Sequence, residues 1–562
     1  MKGSSKTILI TWVTLVCMLP LFSRGQDNNT PIKCGLPYVI EAFKSEKSEL
    51  PNLSRLYKLS KTQVQWDSIT SPSGHFVIHY NTSEYDSIPS YDRNGNGMPD
   101  FLEFAAFSLD RAWEVEIDSL GFQPPPDQNG NPRSTYSIYL ADPGRVYNVP
   151  PNTYGVTGWD PTQDIPSLPG FNFPSEIWIN TDFSFLPDYL YAHFLNGLTG
   201  LEKRAVRDSL AIAVTAAHEF NHALQLGYRI WIEQNDFPDL WFIESSATYM
   251  EEVVADAIND YYQYLPAFFS NTHRYLTEEA SGRIYGGVVF DIMLGERHGK
   301  TITREVWEQI TQEKALDALS TILQQKGSTL DGELRELATW MFFTDDRYIN
   351  GNFFPEGDQY PSPAMQQISL SQDETTLSGF LPALSFRFYQ INLSSPASIS
   401  ALLTPDQSPE FWDGINFSFQ MPYVQTFPAN AFTPVQSTSD LRVYLVVFSG
   451  SWSADAFEDT FYELLIRKSS QVATEEILVY PNIIRPEDGV DQIVFANLPE
   501  DARIEIYTSS GVHLFSLSPE DGQRVAFWKL KNFENNAVGS GVYVYRVISP
   551  EKSVNGKILI VR

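Results

Sequence analysis

The chain has 562 residues and a formal net charge of −30, a balance that excludes a nucleic-acid binder because no basic patch interrupts it. Hydrophobic residues make up 43% of it and aromatic residues 14%, enough to build sizeable cores in roughly three domains. Of the two cysteines, Cys17 lies in an N-terminal leader, so Cys34 stands alone, no internal disulfide is expected, and stability has to come from packing and bound metal.

In chain order, Met1 to Gly25 carries Lys2 and Lys6, an apolar run from Ile8 to Phe22, and small residues at Ser23 and Gly25. This is the pattern of a secretory signal peptide over residues 1–25, too short and wrongly flanked for a membrane anchor. Val16 before Cys17 is too large for a lipoprotein cleavage site. A soluble, exported protein with no membrane span is the expectation.

Residues 26–70 read as a pro-like segment around Cys34 in PIKCGLP, Pro31 to Pro37. The stretch resembles the cysteine switch of matrix metalloproteinases, P-R-C-G-x-P-D, whose thiolate lies on a catalytic zinc. It departs from that pattern by an extra residue after Pro31, by Lys33 in place of Arg, and by Tyr38 in place of Asp. The resemblance implies that Cys34 is an inhibitory fourth zinc ligand, a role that suits a thiolate. A small buried thiol is the alternative.

From Ser71 the pattern alternates, and HFVIHY (His75 to Tyr80) reads as a half-buried strand. In the following YDRNGNGMPDFLEF, Asp92, Asn94, Asn96, Met98, Asp100 and Glu103 take positions 1, 3, 5, 7, 9 and 12 of an EF-hand-type loop, with Gly97 at the turn. Side-chain oxygens and the Met98 carbonyl would supply a structural calcium ion. The loop also resembles dockerin and thrombospondin type 3 calcium loops; a turn that caps the helix expected over Phe101 to Leu120 is the alternative.

After a Pro-rich loop, Ser134 to Asp142 and Ser175 to Phe183 read as strands. By analogy with zinc peptidases, a strand at this place in the chain is the sheet edge that pairs with an extended substrate. The loop between them, with Tyr154, Trp159 and Phe171, is expected to wall the cleft.

AAHEFNHALQ (Ala216 to Gln225) then sets His218 and His222 four residues apart in an apolar helical run. Both imidazoles leave one helix face and can hold one metal ion, while Glu219 between them can take a proton from an attacking water, the arrangement of the HExxH zinc hydrolases. A metzincin would have a further His where Tyr228 stands. In WFIESSATYMEE (Trp241 to Glu252), Glu244 lies beside an apolar face where an unpaired charge is costly. That stretch resembles the ligand helix of gluzincin peptidases, W-x-x-E followed by small residues, and the resemblance implies that Glu244 is the third zinc ligand. Glu251 and Glu252 read as solvated or as outer partners of the site. Further helical patterns run over Leu201 to Leu226, Trp241 to Tyr264, Ile284 to Arg297, Thr303 to Lys314 and Leu330 to Thr344. Tyr285 is a candidate hydrogen-bond donor to the oxyanion, with packing as its alternative.

Short alternating strands fill residues 365–470, such as Ser385 to Leu393 and Leu441 to Ser449, and read as a β-sandwich. Residues 474–562 form another β unit carrying Tyr480, Pro481, Asn482, Tyr507, Gly511, Trp528, Gly541, Tyr543, Gly556 and Lys557. Their order resembles the type IX secretion sorting domain of Bacteroidota, and implies passage across the outer membrane after Sec export, with the type IX machinery as a partner.

The expected architecture is therefore multidomain: an α+β, zincin-like peptidase domain over 71–358, then two all-β domains, one a sandwich and one Ig-like. Over Cys34 to about Phe354 the motifs together resemble a family of secreted bacterial metallopeptidases. The expected function is a secreted zinc endopeptidase acting on protein or peptide substrates with Glu219 as general base. The alternative is a cell-surface binding or adhesion protein on a peptidase scaffold that has lost turnover.

Overall fold

The computed structural model describes residues 31–561 except 46–64, 84–85, 148, 151, 161–162, 231–238, 281, 396, 407–411, 419–422, 432, 436–440, 451–458, 470–476, 481–482, 485–491, 497, 500, 520–525 and 551–552. The expected signal peptide, Pro481 and Asn482 lie outside the described residues. Two compact units divide the chain, Met1–Asp260 with Glu279–Gly282, and Tyr261–Glu278 with Arg283–Arg562. Helices and sheets mix in this multidomain chain, which ends in all-β parts. The division places the helices after Arg283, expected in the domain over 71–358, with the second unit.

The first unit is built on a six-stranded sheet of order β1-β5-β6-β4-β3-β2. Its strands are β1 (Ile32–Cys34), β2 (Asp67–Thr70), β3 (Phe76–Tyr80), β4 (Tyr136–Leu140), β5 (Thr153–Trp159) and β6 (Ser175–Ile179). Strand β5 is a correction to the expected loop. It runs antiparallel to β6 and parallel to β1, with Ile32 opposite Thr153 and Cys34 opposite Gly155. Periodicity missed it because all seven residues are buried, which removes the alternation, and because Gly155 and Gly158 look like turn residues. The stretch from Ser175 is thus an interior strand, and the edge on that side of the sheet is β1, paired to β5.

Helix α1 (Leu36–Ser45) follows β1, and α2 (Asp100–Trp113) follows the Asn/Gly loop. Where the sequence predicts one helix to Leu120, a wider π-turn replaces the α pattern over Glu114–Ser119. The extra residue in such a turn rotates the side chains, and Glu116 is carried into the interior with no exposed surface. Helix α3 (Gly200–Tyr228) contains no proline, is rich in alanine, and is buried without a break from Val214 to Leu226. Its C-terminal half is enclosed on all sides, against β5 and β6 on one and α2 on another.

Helix α4 (Leu240–Ala255) is buried from Leu240 through Glu251. It ends nine residues before the expected Tyr264. A short 3-10 turn over Asp256–Ile258 leads to Asn259 in the left-handed region, φ 54°, and that reversal returns Asp260 to the interior. Asparagine tolerates this backbone better than most residues.

In the second unit, helices Val288–His298, Ile302–Ile310, Ala315–Gln325 and Leu330–Phe342 precede two β parts. The expected helix to Lys314 stops at Ile310, and Lys314, extended at ψ 160°, starts a separate helix. A four-stranded and a five-stranded sheet over Met365–Ser469 enclose one core that includes Trp412, Tyr389 and Tyr462. Three-stranded and five-stranded sheets over Leu478–Ile560 enclose another. There Trp528 is fully buried with its indole donating to the Lys531 carbonyl at 2.8 Å, and Tyr543 donates to the Gly539 carbonyl at 2.7 Å. A Cβ on Gly556 would strike the Tyr545 ring at 2.2 Å. Packing alone therefore accounts for these motif residues. Among the described residues no helix is long and apolar enough to cross a membrane.

Candidate metal centre

Four donors converge in the first unit. Cys34 from β1, His218 and His222 from α3, and Glu244 from α4 each place one ligand atom within 4.8 Å of every other, and all four are buried. The two His Nε2 atoms are 3.0 Å apart, and the Glu244 oxygens lie 3.4 Å from Nε2 of His218 and 3.5 Å from Nε2 of His222. Ligands about 2.0 to 2.3 Å from a tetrahedral zinc are separated by roughly 3.3 to 3.7 Å, so the set suits that ion.

The outer ring nitrogens fix the tautomers. His218 Nδ1 donates to Glu251 Oε1 at 2.8 Å, and His222 Nδ1 to Gln225 Oε1 at 2.7 Å. Gln225 presents its oxygen there because its amide nitrogen donates to Asn221 Oδ1 (2.6 Å), the Ile243 carbonyl (3.0 Å) and Ser246 Oγ (3.1 Å). Asn221 in turn donates to Glu116 at 2.9 Å. With each proton on Nδ1, both Nε2 atoms present lone pairs to one another. Two acceptors facing at this distance repel unless a cation lies between them. Burial pushes the pKa of both imidazoles down, so neither readily supplies that cation as a proton.

Glu219 is fully buried, and burial pushes its carboxyl up to about 8, against the opposing hydrogen bonds from Thr157 and Cys34. Thr157 on β5 donates to Glu219 Oε2 at 2.8 Å. Close approach of β5 and α3 depends on Gly155, where a Cβ would stand 2.7 Å from Thr215 Cγ2 and 2.9 Å from Glu219 Cγ. Gly35 plays the matching part in the segment from Ile32, since its Cβ would meet Val156 Cβ at 2.8 Å. Burial, then the charges of Glu219 and Glu244, hold the Cys34 thiol well above its ordinary value, opposed by the Leu36 amide that donates to the sulfur at 3.3 Å. A divalent ion among these donors would reverse that balance in favour of the thiolate.

Lys33, beside Cys34, has its ammonium 2.6 Å from Glu251 and 2.6 Å from Asp260. Burial alone would lower its pKa, but the two carboxylates outweigh it and the net direction is up. Two acids share that one base, and burial still holds Glu251 up, to about 8. Tyr191 donates to Asp260 at 2.7 Å.

The sequence placed all four donors and Glu219. It did not assign partners to Lys33, Asp260, Tyr191, Thr157, Asn221 or Glu116, and it left Glu251 open. Spacing marks Gln225, three residues after His222 on the same helix face, and Glu251, seven after Glu244. Nothing in the sequence marks Asp260 or Glu116, which reach the site through a left-handed turn and a π-turn. Tyr285 stands in the second unit on the short helix Arg283–Gly286, buried, its ring centroid 5.0 Å from that of Tyr264.

In the Asn/Gly loop, Asp92 accepts from the amides of Gly95 (2.8 Å), Asn96 (3.2 Å) and Gly97 (2.8 Å). Asn94 and Asn96 turn their amide nitrogens to Glu103, at 2.9 and 2.7 Å. Asn96 Oδ1 accepts from the Met98 amide at 2.8 Å, and Asp100 is paired with Arg93 at 2.5 Å. Gly95 and Gly97 take φ of 71° and 87°. Holding calcium here would require the asparagine oxygens turned inward and Asp100 released from Arg93.

Residues 204–358 match a family of unknown function, DUF6055. That span contains His218, Glu219, His222, Glu244 and Glu251 but not Cys34. No curated protein matches. Among solved structures, 18% of the chain is similar to 14% of PorZ, a surface component of the type IX secretion system of Porphyromonas gingivalis, at 28% identity and a TM-score of 0.15. Another 18% match covers 98% of PliG from Salmonella Typhimurium, a periplasmic inhibitor of g-type lysozyme, at 12% identity and a TM-score of 0.15. The chain thus spans about a seventh of the length of PorZ.

Proposed function

We propose that the first unit is a zinc-dependent endopeptidase held latent by its own N-terminal segment. One observation carries the reading: two histidine Nε2 lone pairs face each other at 3.0 Å, with the Glu244 carboxylate and the Cys34 sulfur in the same buried group. His218, His222 and Glu244 would hold the ion, which supplies a Lewis acid for the scissile carbonyl. Glu251 and Gln225 orient the two imidazoles through Nδ1. Glu219, held at one oxygen by Thr157, takes the proton of the attacking water and delivers it to the leaving amine. Burial raises that carboxyl in the metal-free chain, and a divalent ion beside it would draw it back toward the ionised form that a general base needs.

Latency follows from position. The segment Ile32–Cys34 lies on the edge of β5 where an extended substrate would pair, and Cys34 fills the fourth place among the donors. Calcium is proposed as structural in the loop from Asp92 to Glu103. Carriage to the cell surface by the type IX machinery is proposed from the motif residues of the C-terminal β part, with Tyr507, Gly511 and Lys557 among them. The test is zinc-loaded full chain carrying Cys34→Ala, with and without Glu219→Gln, against a casein-type substrate. Cleavage lost with Glu219→Gln at unchanged zinc content supports the enzyme. Zinc-loaded Cys34→Ala chain that cleaves nothing supports a binding protein on a peptidase scaffold.

A further inference from the structure

The reaction described above gives no task to Lys33, Asp260, Tyr154 or Tyr191, yet with Glu251 they form a buried charged cluster in the first unit. The side chains of Lys33, Glu251 and Asp260 are 1%, 2% and 0% exposed. Lys33 Nζ lies 2.6 Å from each acid and 4.9 Å from the centroid of the Tyr154 ring, while Tyr191 and Tyr154 donate to Asp260 Oδ1 at 2.7 and 3.5 Å. Two carboxylates and an aromatic face meet the donors and the charge of one ammonium, and the Tyr191 phenol donates to one of those carboxylates.

The occupant does not belong to the wall. Glu251 comes from α4, Asp260 from the turn after it, Tyr154 from β5 and Tyr191 from the short 3-10 helix Asp188–Tyr191. Lys33 comes from the segment that is paired along β5 in place of a substrate, one residue from the thiol that fills the metal group. Whatever removes Cys34 from the donors also withdraws the ammonium from the two acids. Buried carboxylates without a counter-charge are costly, so the opened cleft demands a cation on a long, flexible, apolar stem.

We infer that the Glu251–Asp260 socket is a substrate subsite for a lysine side chain, filled by Lys33 in the latent chain, so that the enzyme selects peptides with lysine flanking the scissile bond. This deepens the peptidase reading and rests on it for the word substrate, but binding by the socket does not require turnover. The same socket explains why lysine stands before the cysteine. Its ammonium reaches through to the acid that orients His218, and so ties the segment to the metal group at two neighbouring residues.

The test has two arms, both on zinc-loaded full chain. In the first, Lys33→Gly chain is titrated with n-butylammonium, the missing side chain, and with n-butanol as its neutral counterpart. Butylammonium should raise the melting temperature toward that of the wild type and butanol should not; equal effects overturn the socket. In the second, chain carrying Lys33→Gly, Cys34→Ala and Glu219→Gln is titrated calorimetrically with blocked hexapeptides that differ only in a central lysine or norleucine. Lysine should bind about tenfold to a hundredfold more tightly, the factor that a net hydrogen bond to a charged group corresponds to. Adding Asp260→Asn, or Tyr191→Phe where the former fails to fold, should erase the difference without changing zinc content. Equal binding of both peptides, or no binding of either, overturns the inference. The two readings fail separately: selective lysine binding with no cleavage by the Glu219 form sinks the peptidase, and cleavage indifferent to lysine sinks the subsite.

Discussion

Cys34 and Gly155 are direct partners in the parallel ladder between β1 and β5. On its other side Gly155 leaves room for Glu219, whose Cγ would stand 2.9 Å from a Cβ there. One residue without a side chain thus lets β1, β5 and α3 close on one another. Gly155→Ala should cost about 1 to 3 kcal/mol through overpacking. Denaturant unfolding of the full chain checks it against Gly539→Ala, where a Cβ meets nothing within 4 Å. Equal effects of the two would show that β5 and α3 are not packed as described.

Glu251 links the metal group to the lysine socket, one oxygen toward His218 and the other toward Lys33. Glu251→Gln keeps the shape but weakens the acceptor for His218 Nδ1. Zinc affinity should fall roughly tenfold to a hundredfold, as for other partners of metal-bound histidines. Competition against a chromophoric chelator measures it, and unchanged affinity would remove Glu251 from the site.

A pH dependence follows from the raised carboxyl of Glu219. Burial lifts it to about 8 in the folded metal-free chain, while unfolded glutamate titrates near its ordinary value of 4.5. Between the two values the folded state binds more protons than the unfolded one, so stability falls as pH rises. His218 and His222, buried and lowered, act in the opposite direction only below the unfolded value of 6.5. The clean window is therefore pH 6.5 to 8. There the metal-free chain should lose stability with rising pH, and zinc should flatten the slope. Melting curves of apo and zinc-loaded protein decide it; an apo stability that rises across that window contradicts a buried, protonated Glu219.

Added calcium should raise the melting temperature, and a chelator selective for calcium over zinc should lower it again. Arg93→Ala, by freeing Asp100, should tighten the response. A melting temperature indifferent to calcium would leave the loop as an Asp92-capped turn.

The donors were legible because each carries its chemistry in local context: two histidines four positions apart, and a glutamate in an apolar helical stretch. The long helices were legible for the same reason, with ends wrong where the cause is a single backbone event. Asn259 turning left-handed stops α4 early, and the π-turn at Glu114 rotates Glu116 into the core. Strand β5 was hidden because burial on both faces erases alternation and its glycines serve packing rather than a turn. The partners of Lys33 were beyond reach, since Asp260 lies 227 residues away along the chain and only the fold brings the two together.

The central claim is that Cys34 closes a zinc site made by His218, His222 and Glu244. Zinc K-edge absorption on the full-length protein tests it most directly, because sulfur and nitrogen or oxygen neighbours separate by distance. One sulfur at about 2.3 Å with three nitrogen or oxygen neighbours at about 2.0 to 2.1 Å is expected. In the Cys34→Ala chain the sulfur shell should vanish while the metal stays bound. A zinc site with no sulfur in the wild type, or zinc lost altogether on Cys34→Ala, would contradict the account.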